Sequence, residues 1–250
     1  MRKKYKMTDE TIEVDGKTLK TLHRIEALID IPYVRVKAGD KGGFIESEEN
    51  LSQEGDCWVG GKAQVSDNAQ VSDNAWVAEN AKVFDNAQVF GNAHACGNAQ
   101  VCGNAQVYDN VQMFFDAHIY EDAVVSDRAC VYGKAQVFGN AWVDDNAEVY
   151  GNAKVCSNAW VYGDAEVFGN TWVTDNAQVG GNAWVTDNAH VGGNAEVYGN
   201  AKVYDNAWVY GDAKVSGNAW VAGNAQVSGS TVVSGDAKVP SNAKKQEAAW

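Results

Sequence analysis

"VYGNAKVYDNAWVYGDAKVSGNAWVAGNAQVSGS" occupies residues 197–230. Valine returns at every sixth residue, and alanine sits two residues before each valine. The register runs from Val59 to Val239, thirty-one hexads without an insertion, and only Ala95, Met113 and Ile119 replace the anchor valine. Alanine holds the companion position from Ala63 onward, except at Val111, Thr171 and Thr231. Fainter traces reach back through "GGFIESEENLSQEGDCW", where Ile45, Leu51 and Cys57 fall in the alanine register.

Six is not a helical period, because an α-helix would smear such anchors around its axis. Within a hexad, Ala-x-Val-x alternates with period two, as a short strand does with one face buried. The remaining pair is mostly Gly-Asn, Asp-Asn or Gly-Asp, residues that tolerate turn and left-handed backbone at low cost. Each hexad therefore reads as a four-residue strand and a two-residue corner. Strands so short must hydrogen-bond to copies of themselves about 4.8 Å away. Three hexads close a coil of 18 residues, and about ten coils give a prism on the order of 50 Å long. Valine fills each side and alanine the converging corners. Each buried valine contributes about 1.5–3 kcal/mol, largely offset by the ordering of its hexad.

This Val-x-x-x-Ala-x pattern, over about 80% of the chain, resembles the hexapeptide-repeat left-handed parallel β-helix family. The triangular section and the left hand are what that resemblance implies, since parallel crossovers are otherwise right-handed. The fold class expected is all-β, a three-sided left-handed parallel β-helix with a small N-terminal β-rich cap. Residues 1–40 form the cap, with strands on either side of Asp15-Gly16 in "TIEVDGKTLKTL". "HRIEALIDIPYVRV" reads as a further strand or a short helix. Residues 41–243 form the β-helix and 244–250 a tail that has lost the register. The whole chain, including "GDKGGFIESEENLSQEGDCWVGGKAQV", resembles hexapeptide-repeat proteins of bacteria and phages, a likeness that implies a mobile-element origin but no activity.

Net charge is −13, and all of it lies outside residues 1–50, which carry ten Lys/Arg against ten Asp/Glu. The rest carries ten against 23. Such a surface repels nucleic-acid phosphates and anionic membranes, so neither is expected as a partner. The five cysteines, Cys57, Cys96, Cys102, Cys130 and Cys156, show no CxxC or zinc spacing. Reduced thiols in the cytoplasm (of a host, for a phage-encoded chain) are the simplest account. The basic start "MRKKYKMTDETIEV" lacks an apolar h-region and does not read as a signal peptide.

Residues flanking each anchor point outward, and those 18 apart share a column. One column holds Phe114, Tyr132, Tyr150 and Phe168, continuing past Thr186 to Tyr204, with Cys130, Glu148 and Glu166 beside it. Another side carries Trp142 and Trp160 with Tyr162. Trp58 and Trp76 form a further pair, and Trp172, Trp184, Trp208 and Trp220 populate the C-terminal half. The least regular coil lies in residues 111–135, where Phe115 stands at a corner that prefers Gly or Asp and Arg128 and Lys134 replace Asn. Stacked rings strengthen a sheet by themselves, and contiguous aromatic surface also marks an interface.

Relatives of the fold family include acyltransferases and γ-class carbonic anhydrases, and many are trimers. The histidines here are His23, His94, His118 and His190. The last three fall on flat sides, and no extruded loop interrupts residues 59–239 to wall an acyl-CoA pocket. His118 and His190 share a column four coils apart, which does not build a three-histidine zinc site. No phosphate-binding or nucleophile motif appears, and the threonines Thr171, Thr174, Thr186 and Thr231 are too sparse for ice binding. No catalytic residue, metal or cofactor is therefore expected. The reading is a non-enzymatic, rigid acidic scaffold that binds a protein partner or itself, as a dimer or trimer, through Phe114, Phe115, Tyr132, Trp142, Glu148, Tyr150, Trp160, Tyr162, Glu166 and Phe168. Inhibition of a host DNA-binding protein by acidic mimicry is one version. The alternatives are an acyltransferase with an intersubunit site and a structural spacer in a virion or filament.

Overall fold

The computed structural model describes residues 3–14 and 19–246. The turn expected at Asp15-Gly16 and the end of the tail, residues 247–250, lie outside the described residues. The chain divides into two compact units, Met1–Glu121 and Asp122–Trp250.

In the first unit, strands β1 (Tyr5–Val14) and β2 (Lys20–Ala27) pair antiparallel, with Met7 opposite Ile25 and Ile12 opposite Leu22. Strand β3 (Lys41–Ile45) is antiparallel to β2 on one side and parallel to Gln64–Val65 on the other. It thus converts a hairpin edge into a template for parallel coils and covers backbone groups that an open end would expose. "HRIEALIDIPYVRV" divides, its start finishing β2 and Pro32–Val34 forming one 3-10 turn. Tyr5, Leu22, Ile25, Ile31, Ile45 and Leu51 make the apolar interior of this end. Its buried polar groups are satisfied, as burial demands. The Lys4 ammonium donates to the carbonyls of Glu54 and Gly55, both at 3.2 Å. The Asn50 side chain donates to Asp67 and Ala69 carbonyls and accepts from the Glu46 and Ser47 amides.

From Trp58 onward the first unit is built of 18-residue coils. Trp58 pairs with Trp76, Trp76 with His94 and His94 with Gln112, all parallel. The same step links Gln64, Lys82, Gln100 and His118, and Gln70, Gln88 and Gln106. The hexads therefore feed three parallel sheets in rotation. The second unit repeats this. One sheet carries Val124, Trp142, Trp160, Gln178 and Glu196 in order. A second carries Cys130, Glu148, Glu166, Trp184, Lys202, Trp220 and Lys238. The third carries Gln136, Lys154, Trp172, His190, Trp208, Gln226 and Lys244. The rung Lys244–Lys245 keeps the register, and exposed Lys245 stands where the anchor valines stand.

Each regular strand is two residues long, such as Gln64–Val65, not the four read from the sequence. The coil-to-coil bonds nonetheless engage all of Ala-x-Val-x. The Gln64 amide donates to the Ala81 carbonyl and the Ser66 amide to the Val83 carbonyl, each at 3.0 Å. What shortens the strand is the corner, where the second residue after each anchor from Val59 to Val233 adopts positive φ: 59° at Asp67, 68° at Gly91 and 61° at Asp205. Glycine and aspartate take that conformation most readily. Space matters too, since a Cβ at Gly97 would lie 2.7 Å from the Phe115 amide nitrogen. Aspartate adds a bond: Asp73 and Asp175 accept from the Gly91 and Gly193 amides, 18 residues on, at 3.0 and 2.9 Å.

The next corner residue, usually asparagine, does more than turn the chain. Asn158 donates to Asn176 and Asn176 to Asn194, each at 3.0 Å. Asn68, Asn86 and Asn104 chain in the same way in the first unit. These amide ladders run coil to coil at the spacing of the backbone bonds. Inside, the anchor valines and corner alanines are almost all fully buried. Thr171 departs from this pattern, with a buried Oγ1 that lacks a hydrogen-bond partner. Among the described residues no helix is long and apolar enough to cross a membrane.

Candidate aromatic faces of the second unit

The ring column read from the sequence is continuous in the second unit. Tyr132 stacks on Tyr150 at 4.7 Å with 4° between planes, and Tyr150 on Phe168 at 4.7 Å and 2°. That spacing is set by the rungs beneath, because neighbouring strands place equivalent side chains about 4.8 Å apart. Each tyrosine leans along the stack. The Tyr132 hydroxyl donates to Glu148 Oε2 at 2.9 Å and the Tyr150 hydroxyl to Glu166 Oε2 at 3.0 Å. Burial first, and then the bonded glutamate, holds both phenols well above their ordinary ionisation range. They remain neutral donors, suited to orienting a polar group and not to abstracting protons. Burial and Glu148 likewise raise the Cys130 thiol beside them.

The face continues beyond the residues singled out from the sequence. Phe168 meets Trp184 edge to face at 6.3 Å. Lys202 then lies 4.2 Å from the Trp184 ring centre and 5.8 Å from that of Trp220, and Lys238 lies 4.7 Å from Trp220 on its other side. Tyr204 meets Trp220 edge to face at 6.3 Å. One flat side of the second unit thus carries six rings, two of which, Trp184 and Trp220, alternate with Lys202 and Lys238 in cation–π contacts favourable by about 0.5–1 kcal/mol each when exposed. The signal was present as alternation of Trp and Lys at spacing 18, but a column of like residues is easier to notice than an alternating one.

Trp142, Trp160 and Tyr162 lie on a different sheet of this unit. Trp142 and Trp160 are rung partners. Their neighbourhood departs from a simple stack: the Trp160 ring lies 4.6 Å from Tyr162 and its Nε1–H donates to Asp144 Oδ1 at 3.0 Å. Burial, with Asp145 and Asp127 adding to it, raises the Asp144 carboxyl despite that bond. The third sheet holds another stack. Lys154 sits 4.5 Å from Trp172, which is parallel to His190 at 6.4 Å, which in turn stacks on Trp208 at 4.6 Å. His190, read from the sequence as one of several surface histidines, is the middle plate.

The remaining expected site residues, Phe114 and Phe115, belong to the first unit. Phe114 is half-buried, while Phe115 is 65% exposed at a corner with φ of 61°, a strained conformation for a bulky side chain. Trp58, expected outside, is buried, its ring over Gly42 of β3, where an added Cβ would lie 2.6 Å from it. The first unit also brings Cys102 Sγ to 3.3 Å from His118 Nε2. Burial, aided by Asp85 and Glu121, pushes the Cys102 thiol up to about 11, and burial lowers His118. This is a neutral pair, not the thiolate and imidazolium of a nucleophilic centre. No group of three metal-binding side chains occurs among the described residues.

Residues 63–79 and 177–193 match the family model described as YdcK Beta solenoid repeat. Each stretch falls just short of one 18-residue coil, one in each unit. The chain is a parallel β-helix repeat protein. The crystal structure of UDP-N-acetylglucosamine O-acyltransferase (LpxA) from Moraxella catarrhalis RH4 is similar to this β-helix with a TM-score of 0.36 and 15% identity, over 60% of this chain and 69% of that one. No curated protein matches the β-helix at a significant level.

Proposed function

We propose that this β-helix is a rigid, acidic, non-enzymatic scaffold that docks a protein along the aromatic side of residues 122–250. The observation that carries the reading is the series Tyr132, Tyr150, Phe168 and Trp184, continued through Lys202 to Trp220 and held at ladder spacing by a core of valine and alanine. Tyrosine and tryptophan are favoured interface anchors. A face preorganised by its fold loses little conformational entropy on binding. Glu148 and Glu166 at one end and Lys202 and Lys238 at the other give the side a charge polarity that sets the orientation of a partner.

The partner is a foreign protein or a sister copy, and two measurements divide them. A Tyr150→Ala/Trp220→Ala variant is compared with the unaltered protein by sedimentation over a concentration range and by affinity capture from a host lysate. A sister-copy contact makes the oligomer dissociate in the variant. A foreign partner drops out of the capture while the mass stays constant. Equal masses and equal recovery of every partner would remove the reading. A partner captured through acidic mimicry is released as salt is raised, because exposed charge is screened within about 10 Å at 0.1 M.

A further inference from the structure

The first residue after an anchor is glycine at Gly60, Gly180 and Gly192. At the first two, the chain fills the space above the missing side chain with a ring of its own. A Cβ at Gly60 would lie 3.4 Å from Trp76 Nε1 and 3.5 Å from Trp58 Cδ1. At Gly180 it would lie 2.2 Å from Cζ of Tyr162, whose ring crosses from the coil 18 residues before. Gly192 is different. The residue 18 before it is Thr174, whose Cγ2 would be 3.3 Å from an added Cβ, and the other near atom is Asp175 Oδ2 at 3.1 Å. No ring covers this glycine. A hollow of about 340 Å³ remains, bounded by Thr174 and Asp175 at one end, Tyr210 at the other, and the stacked pair His190 and Trp208 along one side.

Side chains just after an anchor lean toward the following coil. Tyr162 covers Gly180, and the Tyr132 and Tyr150 hydroxyls reach Glu148 and Glu166. Tyr210, beyond Gly192, therefore does not turn back to cover it, and Thr174 is too short to do so. The walls are mainly apolar and aromatic, which is the lining that flat rings favour. We propose that the hollow over Gly192 is a binding site for a small phenolic ring, which lies on the glycine as the Tyr162 ring lies on Gly180. The site belongs to a different sheet from the docking side proposed above, so it stands or falls separately.

The test titrates p-cresol, the tyrosine side-chain analogue, into the full chain, reading saturation-transfer NMR on the ligand and amide shifts around Gly192. A ligand this small should bind with a dissociation constant of about 1 mM. N-acetyl-tyrosinamide in a parallel titration distinguishes a free phenol from a peptide-borne one. Tighter binding than p-cresol assigns the site to a tyrosine of a polypeptide, and exclusion assigns it to a free phenol. Thr174→Tyr supplies the covering ring from within and should weaken p-cresol binding at least tenfold. Tyr162→Ala uncovers Gly180 and should add a second site of similar affinity. One variant reports by loss and the other by gain, so a folding defect cannot imitate both. Absence of saturation in the unaltered protein up to about 20 mM, binding unchanged in Thr174→Tyr, or no added site in Tyr162→Ala overturns the proposal.

Discussion

Residues 64–118 and 124–244 share one interior and differ outside. In both, valine and alanine alternate through the core with almost no exposed surface. The outward residue just before the anchor diverges. In the first stretch it is glutamine six times, at Gln64, Gln70, Gln88, Gln100, Gln106 and Gln112. In the second it is tryptophan six times, at Trp142, Trp160, Trp172, Trp184, Trp208 and Trp220, with glutamate and lysine between. All six tryptophans are exposed, Trp142 at 48% and Trp208 at 47%. Identical backbone pairing under such different surfaces means that this position is not what makes the coils. The fold is specified by the inward pair and the corners, and the outward residue is free to carry recognition.

The sharpest way to break that comparison is to place a charge inside each stretch. Val101→Asp and Val161→Asp both bury an unpaired carboxylate between rungs, a change that costs several kcal/mol. Each should lower Tm by roughly 10 °C, to the same degree in both units, because both valines are fully buried. A melting curve for Val161→Asp that overlays the parent would show that the anchor does not point inward. A marked difference between the two variants would show that the interiors are not equivalent.

A smaller effect sharpens the comparison at the corner position. Val111 in the first unit and Thr171 in the second both replace alanine and are both fully buried. Val111 is apolar, whereas Thr171 hides a hydroxyl without a partner. Valine has nearly the same shape as threonine, so Thr171→Val should stabilise the second unit by about 1 kcal/mol, measured as a higher urea midpoint. A lower midpoint would mean that the hydroxyl has a partner in solution.

The smallest effect concerns pH and belongs to the outer face. Tyr132 and Tyr150 are held above the ordinary tyrosine value of 10.0, chiefly by burial. Their folded-state values are raised, so their contribution to stability is complete below pH 10.0 and is lost as alkali ionises the unfolded chain first. Stability should therefore fall more steeply above pH 10.0 in the parent than in Tyr132→Phe/Tyr150→Phe, with Tyr5, raised by its own burial, common to both. Tyrosinate absorbance tracks the same event, and two phenols that ionise freely at 10.0 would contradict the stack.

Much of this was legible because the repeat converts sequence distance into spatial distance. Once three hexads make a coil, residues 18 apart are neighbours, and Tyr132, Tyr150 and Phe168 follow from counting. Counting gives positions but not the direction in which a side chain leans. That is why Trp160 could be placed beside Trp142 while its contacts with Tyr162 and Asp144 could not. In the sequence asparagine reads as a turn residue, since its left-handed tolerance is a local property. Its ladder is a property of neighbours, visible only when the amides of Asn158 and Asn176 meet. The register alone puts Trp58 outside, because it says nothing of β3, which comes from an unrepeated part of the chain and covers that ring. The hollow at Gly192 escaped for a similar reason: a glycine in a list of outward residues reads as a gap, and only its neighbours decide whether the gap is filled.

Lys245 stands in the anchor register opposite Val227 and is exposed. A stack of identical coils has no intrinsic length, and any bare rung is a seed for the next, whether from the same molecule or another. In the sheet that ends on Lys244–Lys245, an ammonium stands in a column of otherwise aliphatic anchors, which disfavours a further apolar rung there.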